Sequence, residues 1–275
     1  MSPLLVVAGK ELRDGLRNRW VLAATGLLAA LALGLAFLGS APTGTVGVPP
    51  LAVTVVSLAS LSAFLLPLIA LLLSFDAIVG EHERGTLLLL LAYPVSRWQV
   101  LGGKFLGHVA ILTIATVVGY GSAGLAVTAV AGAEPQTWPA FGVLIGSSVL
   151  LGAVFVGIGY LVSALVGERG TAAGLAVAVW LVLVLLYDLA LLGLLAADQG
   201  SHLSSELFRS LLLANPADAY RLLNLTGFEE VRQFSGLAGL APDARPAPGP
   251  LLLGLGAWLA IPLLAAAGLL ARREL

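Results

Sequence analysis

Long apolar stretches separated by short polar ones are the main pattern of this chain. Six of these stretches are long and apolar enough to cross a bilayer, which takes about 20 consecutive apolar residues in a helix. They lie at 20–39, 51–75, 104–130, 140–166, 171–197 and 249–271. The pattern therefore predicts one all-α integral membrane domain with six transmembrane helices. Because the first stretch is long for a signal-peptide core and Pro42 follows its small-residue end, we expect that helix to be retained.

The segments outside these stretches have helical patterns of their own. In residues 2–18, leucine and alanine recur at helical spacing while Lys10 and Arg13 fall on other faces. This predicts an amphipathic interfacial helix; the alternative is a basic tail that only sets topology. Residues 198–248 are too many for a plain connector. Leucines spaced by four, and Pro216 directly after Asn215, predict two or three short helices there.

The positive charges are distributed unevenly among the loops. Ten of the 14 Lys and Arg residues precede the first stretch, lie in 76–104, follow the fourth stretch or end the chain, whereas the two short loops on the other side have none. By the positive-inside rule, both termini are cytoplasmic and 198–248 is external. The domain then consists of an interfacial helix (1–19), spans one and two (20–75), a cytoplasmic loop (76–104), spans three to five (104–197), an external loop (198–248), and span six with a cytoplasmic tail (249–275).

The composition argues against several kinds of protein. The chain is 59% hydrophobic and 11% charged with a net charge of −1, so nothing indicates nucleic-acid binding. It has no cysteine, and Met1 is its only methionine. The sequence LGGK at 101–104 lacks the first glycine and the final Ser or Thr of a P-loop. His82, His108 and His202 are scattered. We therefore predict a non-enzymatic membrane subunit with no catalytic residue, nucleotide site, metal site or cofactor of its own.

Two features within the spans have open alternatives. Asp188, beside Tyr187, is a costly charge inside the fifth span. The pair either lines a cavity or a dimer interface, or lies near the outer surface and is partly hydrated. Gly170, Gly174 and Ala178 form a small-residue stripe. This stripe either packs against a second copy of the chain or arises by chance in a sequence so rich in glycine and alanine.

The most informative segment lies between the second and third spans. Its residues 87–92 are all apolar, yet they are far too few to span a membrane and are flanked by charges. Gly85 and Thr86 can begin a helix and Pro94 ends it, giving about two apolar turns that would be marginal in water. The segment must therefore be buried, either in a groove of a cytoplasmic partner or among the chain's own helix ends.

The order of residues across this segment resembles the type-2 permeases of ABC transporters (ABC-2 type), and the resemblance extends over the whole chain. The matching pattern is Glu-x-Glu-x-Gly-Thr, a leucine run, Pro-Val-Ser-Arg and Gly-Lys, at 81–86, 87–91, 94–97 and 103–104. The resemblance implies that the loop is a coupling helix docked on a separate cytoplasmic ATPase, which binds ATP and Mg²⁺. It also implies a homodimer in the bacterial inner membrane, paired with two copies of the ATPase. The residues expected at the ATPase contact are Glu81, Glu83, Arg84, Gly85, Thr86, Leu88, Leu89, Pro94, Arg97, Glu168 and Arg169.

Within that family, the loop and the external sequence LLLANPADAYRLLNL resemble permeases that serve copper-site assembly of nitrous oxide reductase in denitrifying bacteria. This implies a periplasmic partner protein at about 203–235, with contacts expected at Leu207, Leu211, Asn215, Tyr220 and Arg221. The alternatives are a permease that exports a drug, a lipid or a sulfur species, and a scaffold that anchors a periplasmic protein without transport. Cu(I) pathways favour thiolate and thioether ligands, which the spans lack. We therefore expect that copper does not pass through conventional binding sites in this chain.

Overall fold

The computed structural model describes residues 2–39, 49–86, 95–132, 134–198, 205–228, 231 and 247–272. Over these residues the chain is helical and has no strand, which confirms the predicted all-α class. The helices are α1 (Pro3–Arg17), α2 (Arg19–Gly39), α3 (Pro50–Ser74), α4 (Val79–Glu83), α5 (Arg97–Ala131), α6 (Trp138–Leu165), α7 (Arg169–Trp180), α8 (Tyr187–Asp198), α9 (Ser205–Ala214), α10 (Pro216–Thr226) and α11 (Pro248–Arg272), with a 3₁₀ turn at Pro135–Thr137 and a π-helical segment at Leu181–Leu186.

Five helical stretches of the described chain are long and apolar enough to cross a membrane. They are Pro50–Glu83, Arg97–Ala131, Pro135–Leu165, Arg169–Asp198 and Pro248–Arg272, in agreement with the second to sixth predicted spans. A sixth crossing results if α1 and Val21–Leu35 of α2, which meet at an angle of 71°, are counted as one bent span. The first predicted span, 20–39, coincides with α2.

Helix α6 is the centre of the bundle. It packs against α3 and α11, and α5 and α10 also contact it. Leu151, Phe155 and Tyr160 on α6 are fully buried, as expected for a helix that is apolar on every face. The stretch Arg169–Asp198 is the least buried of the five, so α7 and α8 lie at the edge of the bundle.

Two glycines let α1 cross closely over α5. A Cβ on Gly103 would lie 2.7 Å from the Leu4 carbonyl oxygen, and one on Gly107 would lie 2.5 Å from the Cβ of Glu11. Small residues at a crossing allow two backbones to approach in this way. The helix predicted at 2–18 is thus present as α1, and it is packed against a span of its own chain.

The fifth predicted span, 171–197, contains an irregular turn. Helix α7 widens into the π-helical segment Leu181–Leu186 before α8 begins, and such a segment disturbs the regular backbone hydrogen bonding of a helix. Asn215 Nδ2 donates to the Leu183 carbonyl oxygen at 2.6 Å. The same side chain caps α10, because its Oδ1 accepts from the Ala217 N–H at 2.8 Å. One residue therefore joins α10 to the middle of the fifth span.

Two short helices occupy the described part of 198–248, as the sequence predicts. Helix α9 is amphipathic and has an exposed side. Helix α10 instead packs against α3, α6 and α11, and most of its side chains are buried. The segment between the fifth and last spans is thus partly built into the bundle.

Replacing Gly107 by alanine is expected to destabilise the protein, because the added methyl group would overlap Glu11 and push α1 away from α5. Overpacking of this kind costs about 1–3 kcal/mol. Gly121→Ala is the matched control in the same helix, since an added Cβ there meets nothing within 4 Å. It should leave stability unchanged or raise it, because alanine favours helix formation. Thermal unfolding in detergent measures both variants, and equal melting temperatures would contradict the close crossing.

Candidate functional site

A buried lysine joins three elements at one end of the bundle. Lys104, near the start of α5, is 5% exposed. Its Nζ donates to Glu11 Oε1 on α1 at 2.6 Å and to Glu81 Oε1 on α4 at 2.9 Å. Thr86 Oγ1 donates to the other carboxylate oxygen of Glu81. A buried ammonium is satisfied only while its carboxylates stay in place, so α1, α4 and α5 are held to one another.

The link between α6 and α7 is attached to the same end. Arg169 begins α7; its guanidinium pairs with Asp76 Oδ2 at 2.7 Å, and its backbone N–H donates to Glu83 Oε1 at 2.7 Å. A carboxylate at the first turn satisfies an otherwise unpaired amide and is favoured by the helix dipole. Ser163 Oγ on α6 accepts from two backbone N–H groups at the start of α4, both at 3.0 Å. We call the following residues the charged cluster: Glu11, Asp76, Glu81, Glu83, Lys104 and Arg169.

Two further contacts at this end involve α5. Arg97 Nη1 donates to two carbonyl oxygens in the last turns of α11, at 2.5 and 2.9 Å. The final carbonyls of a helix lack intrahelical partners, so a cation is favoured there. His108 Nδ1 lies 2.9 Å from the Tyr160 hydroxyl, and its Nε2 lies 3.9 Å from Glu11 Oε2. Among the described residues, no three His, Asp or Glu side chains are grouped so as to hold a metal ion.

The residues predicted to contact an ATPase fall into three groups. Five make the contacts just described: Glu81, Glu83, Thr86, Arg97 and Arg169. Three are exposed at the same end: Arg84, Gly85 and Glu168. The other three lie outside the described residues: Leu88, Leu89 and Pro94. Gly85 has a φ of 69°, a left-handed conformation that favours glycine, so the chain turns sharply as it leaves α4.

At the opposite end, the intramembrane carboxylate has a partner within the chain. Arg221 on α10 pairs with Asp188 on α8, and its Nη1 also lies 3.0 Å from Asp218 Oδ1. Burial raises the pKa of Asp218 to about 7, and the Asp188 carboxylate acts in the same direction, whereas Arg221 opposes it. The Tyr187 hydroxyl donates to the Leu211 carbonyl oxygen at 2.7 Å. Asp188 and Tyr187 therefore face α10 and α9 of their own chain.

Some residues expected to meet a periplasmic partner are used inside the bundle. Tyr220 is fully buried, and its hydroxyl lies 2.8 Å from Ser148 Oγ. Asn215 is also fully buried, with both ends of its amide bonded to backbone. Leu207, by contrast, is 51% exposed. The side chains of Asn215 and Tyr220 thus hold α10 in place, and their contact with a periplasmic partner stays a prediction.

Sequence reasoning missed several residues at the Lys104 end of the bundle, namely Glu11, Asp76, His108 and Ser163. A usable signal was present, because Lys104 at the start of an apolar span is costly unless an acid accompanies it. Glu11 and Asp76 are both on the side of the membrane predicted for Lys104. The pattern did not indicate which acid pairs with which base, because that depends on how the helices are arranged around α6.

Replacing Arg221 by methionine is expected to destabilise the protein by about 3–5 kcal/mol, because two carboxylates lose their cation in a partly buried position. The triple variant Arg221→Met, Asp188→Asn, Asp218→Asn should recover most of this loss. Arg17→Met, at an exposed position on α1, is the control and should change stability by less than about 0.5 kcal/mol. Thermal unfolding in detergent compares them; a single variant as stable as the control would argue against the ion pairs.

Comparison with known proteins identifies the family of this chain. Residues 5–275 match the profile of the family described as "ABC-2 family transporter protein". The chain is 49% identical to the "Probable ABC transporter permease protein NosY" of Pseudomonas aeruginosa over 280 aligned residues, covering 100% of both chains. It is also 49% identical to the protein of the same name from Stutzerimonas stutzeri over 276 residues, covering 99% of both. The chain therefore belongs to the ABC-2 family of transporter permeases.

Proposed function

We propose that this chain couples ATP hydrolysis by a separate cytoplasmic ATPase to a rearrangement of its spans, and that the ATPase docks beside the charged cluster. The observation that carries the proposal is the set of contacts made by 76–86. Lys104 bonds Glu11 and Glu81, while Arg169 bonds Asp76 and Glu83. Because this loop contacts several helices, a movement of the bound cytoplasmic ATPase would displace all of them.

The charged cluster is built to pass on a displacement. Helix α4 has only five residues, yet it contains both Glu81 and Glu83, which bond different helices. Movement of α4 therefore displaces two carboxylates at once. Separating Glu81 from the buried Lys104 would break one of its two ion pairs, and breaking a buried pair costs up to about 3–5 kcal/mol, so the lower-energy response is for α1, α5 and α7 to move with α4.

The proposed ATPase contact is the exposed side of the same loop. Arg84, Gly85 and Glu168 are exposed there. In this proposal the neighbouring leucine run, with Leu88, Leu89 and Pro94, inserts as an apolar plug into a groove of the ATPase. The contacts that hold this surface in place are made by Glu81, Glu83, Thr86, Arg97 and Arg169.

We further propose that the chain serves copper-site maturation of nitrous oxide reductase; its resemblance to permeases with that role, and its 49% identity to two proteins named NosY, support this. It would form a homodimer in the bacterial inner membrane with both termini in the cytoplasm. Two copies of the ATPase NosF would bind ATP and Mg²⁺, and the periplasmic protein NosD would contact α9 around the exposed Leu207. The stripe at Gly170 and Gly174 supports a face for a second copy, because a Cβ added there meets nothing within 4 Å in the described chain.

Export of another small molecule, such as a sulfur species, is a second candidate that the composition favours over a copper channel. The chain has no cysteine and a single methionine, Met1, whereas Cu(I) is held best by thiolate and thioether ligands. ATP-driven motion would then reach the periplasmic partner, or expel a different species, without copper crossing this chain. Copper bound stoichiometrically within the purified permease would contradict this.

Leu88→Glu is expected to uncouple the ATPase, because a carboxylate in the apolar plug must be desolvated on docking. The variant should insert normally in the membrane but co-purify with much less ATPase, and the remaining complex should lose stimulated ATP hydrolysis. Leu207→Glu makes the same change at an exposed position on α9 and should leave both measurements unaltered. Normal ATPase binding and turnover in Leu88→Glu would defeat the coupling proposal.

Deletion of the gene is expected to leave nitrous oxide reductase without its copper sites. Complementation with Leu207→Glu should restore membrane insertion and ATPase binding but only part of the copper content, because the change alters the proposed NosD contact. The metal content and visible absorption of purified nitrous oxide reductase report the outcome. Full copper sites in the deletion strain would exclude the maturation role and leave the export of another species as the better candidate.

A further inference from the structure

A polar cavity and an apolar cavity adjoin inside the bend between α1 and α2. The polar cavity has a volume of about 300 Å³ and the apolar one about 330 Å³, and Val21 and Leu73 line both. A polar compartment that continues into an apolar one matches a molecule with a charged head and a hydrocarbon tail. We propose that the two cavities together bind the headgroup and one acyl chain of one phospholipid with an ethanolamine headgroup, taken from the leaflet at the charged end, while its second acyl chain stays in the bilayer.

The apolar cavity has the dimensions of an acyl-chain site. It lies between α2, α3 and α5, and its lining includes Leu28, Leu66 and Leu112. Its wall on α3 runs from Leu65 to Leu73, which is about 12 Å of helix at 1.5 Å per residue. One leaflet contributes about 15 Å of hydrocarbon. The cavity therefore extends through most of one leaflet and does not cross the membrane.

The polar cavity is balanced in charge. Among the described residues, its lining contains four acidic residues and four basic ones: Glu11, Asp14, Asp76, Glu81, Lys10, Arg84, Lys104 and Arg169. A headgroup with a net negative charge would meet as many carboxylates as cations, so the wall favours a zwitterion. Because the cavity lies directly against Val21 at the start of α2, the head of a lipid would be held beside its own tail site.

Two groups on this wall are available to a headgroup. Within the described chain, the Arg84 guanidinium makes no ion pair, and its Nη2 lies beside Asp76 above Gly80. It can donate hydrogen bonds to a phosphate oxygen. Asp14 pairs only with Lys10 among these residues, and both are more than half exposed, so the pair is weak and can open. Asp14 can then accept the headgroup ammonium.

The choice of ethanolamine follows from hydrogen-bonding capacity. A primary ammonium donates three hydrogen bonds to carboxylates such as Asp14, whereas the trimethylated nitrogen of choline has no N–H to donate. Phosphatidylcholine would therefore leave the acidic side of the cavity unbonded. Phosphatidylglycerol lacks the cation altogether. The cavity thus distinguishes these headgroups by their chemistry.

The proposal is tested with the full-length chain, purified with its co-purifying subunits and washed with detergent. It does not depend on the proposed function, because lipid retention is measured without ATP. Native mass spectrometry should show one tightly retained phosphatidylethanolamine per chain. After delipidation, added phosphatidylethanolamine should rebind in preference to phosphatidylcholine and phosphatidylglycerol. Equal rebinding of all three lipids, or no retained lipid, would overturn the proposal.

Matched variants locate the site. Ile69 lines the apolar cavity, so Ile69→Trp should fill it and lower retention of phosphatidylethanolamine about tenfold or more. Ile261→Trp, at an exposed position on α11, is the control and should leave lipid retention unchanged. Arg84→Gln should lower retention about tenfold, as expected for one charge-assisted hydrogen bond, and Arg13→Gln should not. Because Arg84 is exposed, its variant remains informative if Ile69→Trp fails to fold. Retention unchanged in Arg84→Gln, or in a folded Ile69→Trp, would refute the assignment.

Discussion

The rest of the structure depends on the burial of the Lys104 ammonium between Glu11 and Glu81. Moving an unpaired charge of this kind away from water costs several kcal/mol. Its two carboxylates come from elements that are poorly stabilised alone: α1 has no fully buried residue, and α4 is a single short turn. One cation thus fixes two weak elements to a strong one, and the glycines of α5 bring α1 close enough for the contact.

The two ends of the bundle are specified differently from its middle. The middle is set by apolar packing around α6, supplemented by isolated hydroxyl pairs such as Ser62 with Tyr120 at 2.5 Å. The ends are set by charge, with Lys104 at one and Arg221 at the other, and each cation bonds two acids from different helices or turns. Helices in the middle can slide slightly past one another and keep apolar contacts. An ion pair at an end is lost if its two charged groups move apart. Helices joined at an end are therefore expected to move as sets.

Much of the architecture could be predicted from the sequence because each apolar stretch must pair its own backbone N–H and C=O groups, which it does by forming a helix. The order and limits of the spans follow from that requirement alone. The partners of the charges do not, because they depend on how helices distant in sequence are rotated towards each other. Lys104, at the end of the 76–104 loop, is buried between Glu11 and Glu81, and Arg221, which was predicted to contact a periplasmic partner, pairs with Asp188. Asn215 was expected to mark a helix boundary and does, but its bond to Leu183 requires an irregular turn that hydropathy does not reveal.

The contact between Arg97 and the end of α11 has a consequence for biosynthesis. Helix α11 is made after every helix it packs against, and it covers one side of α6, the centre of the bundle. The carbonyl groups that Arg97 reaches lie in the last turns of α11, so they leave the ribosome later still. Closure of the bundle must therefore follow translation through the end of α11. A ribosome that stalls within α11 would leave a nascent chain whose central helix is open to lipid, in a form that membrane quality-control proteases can recognise.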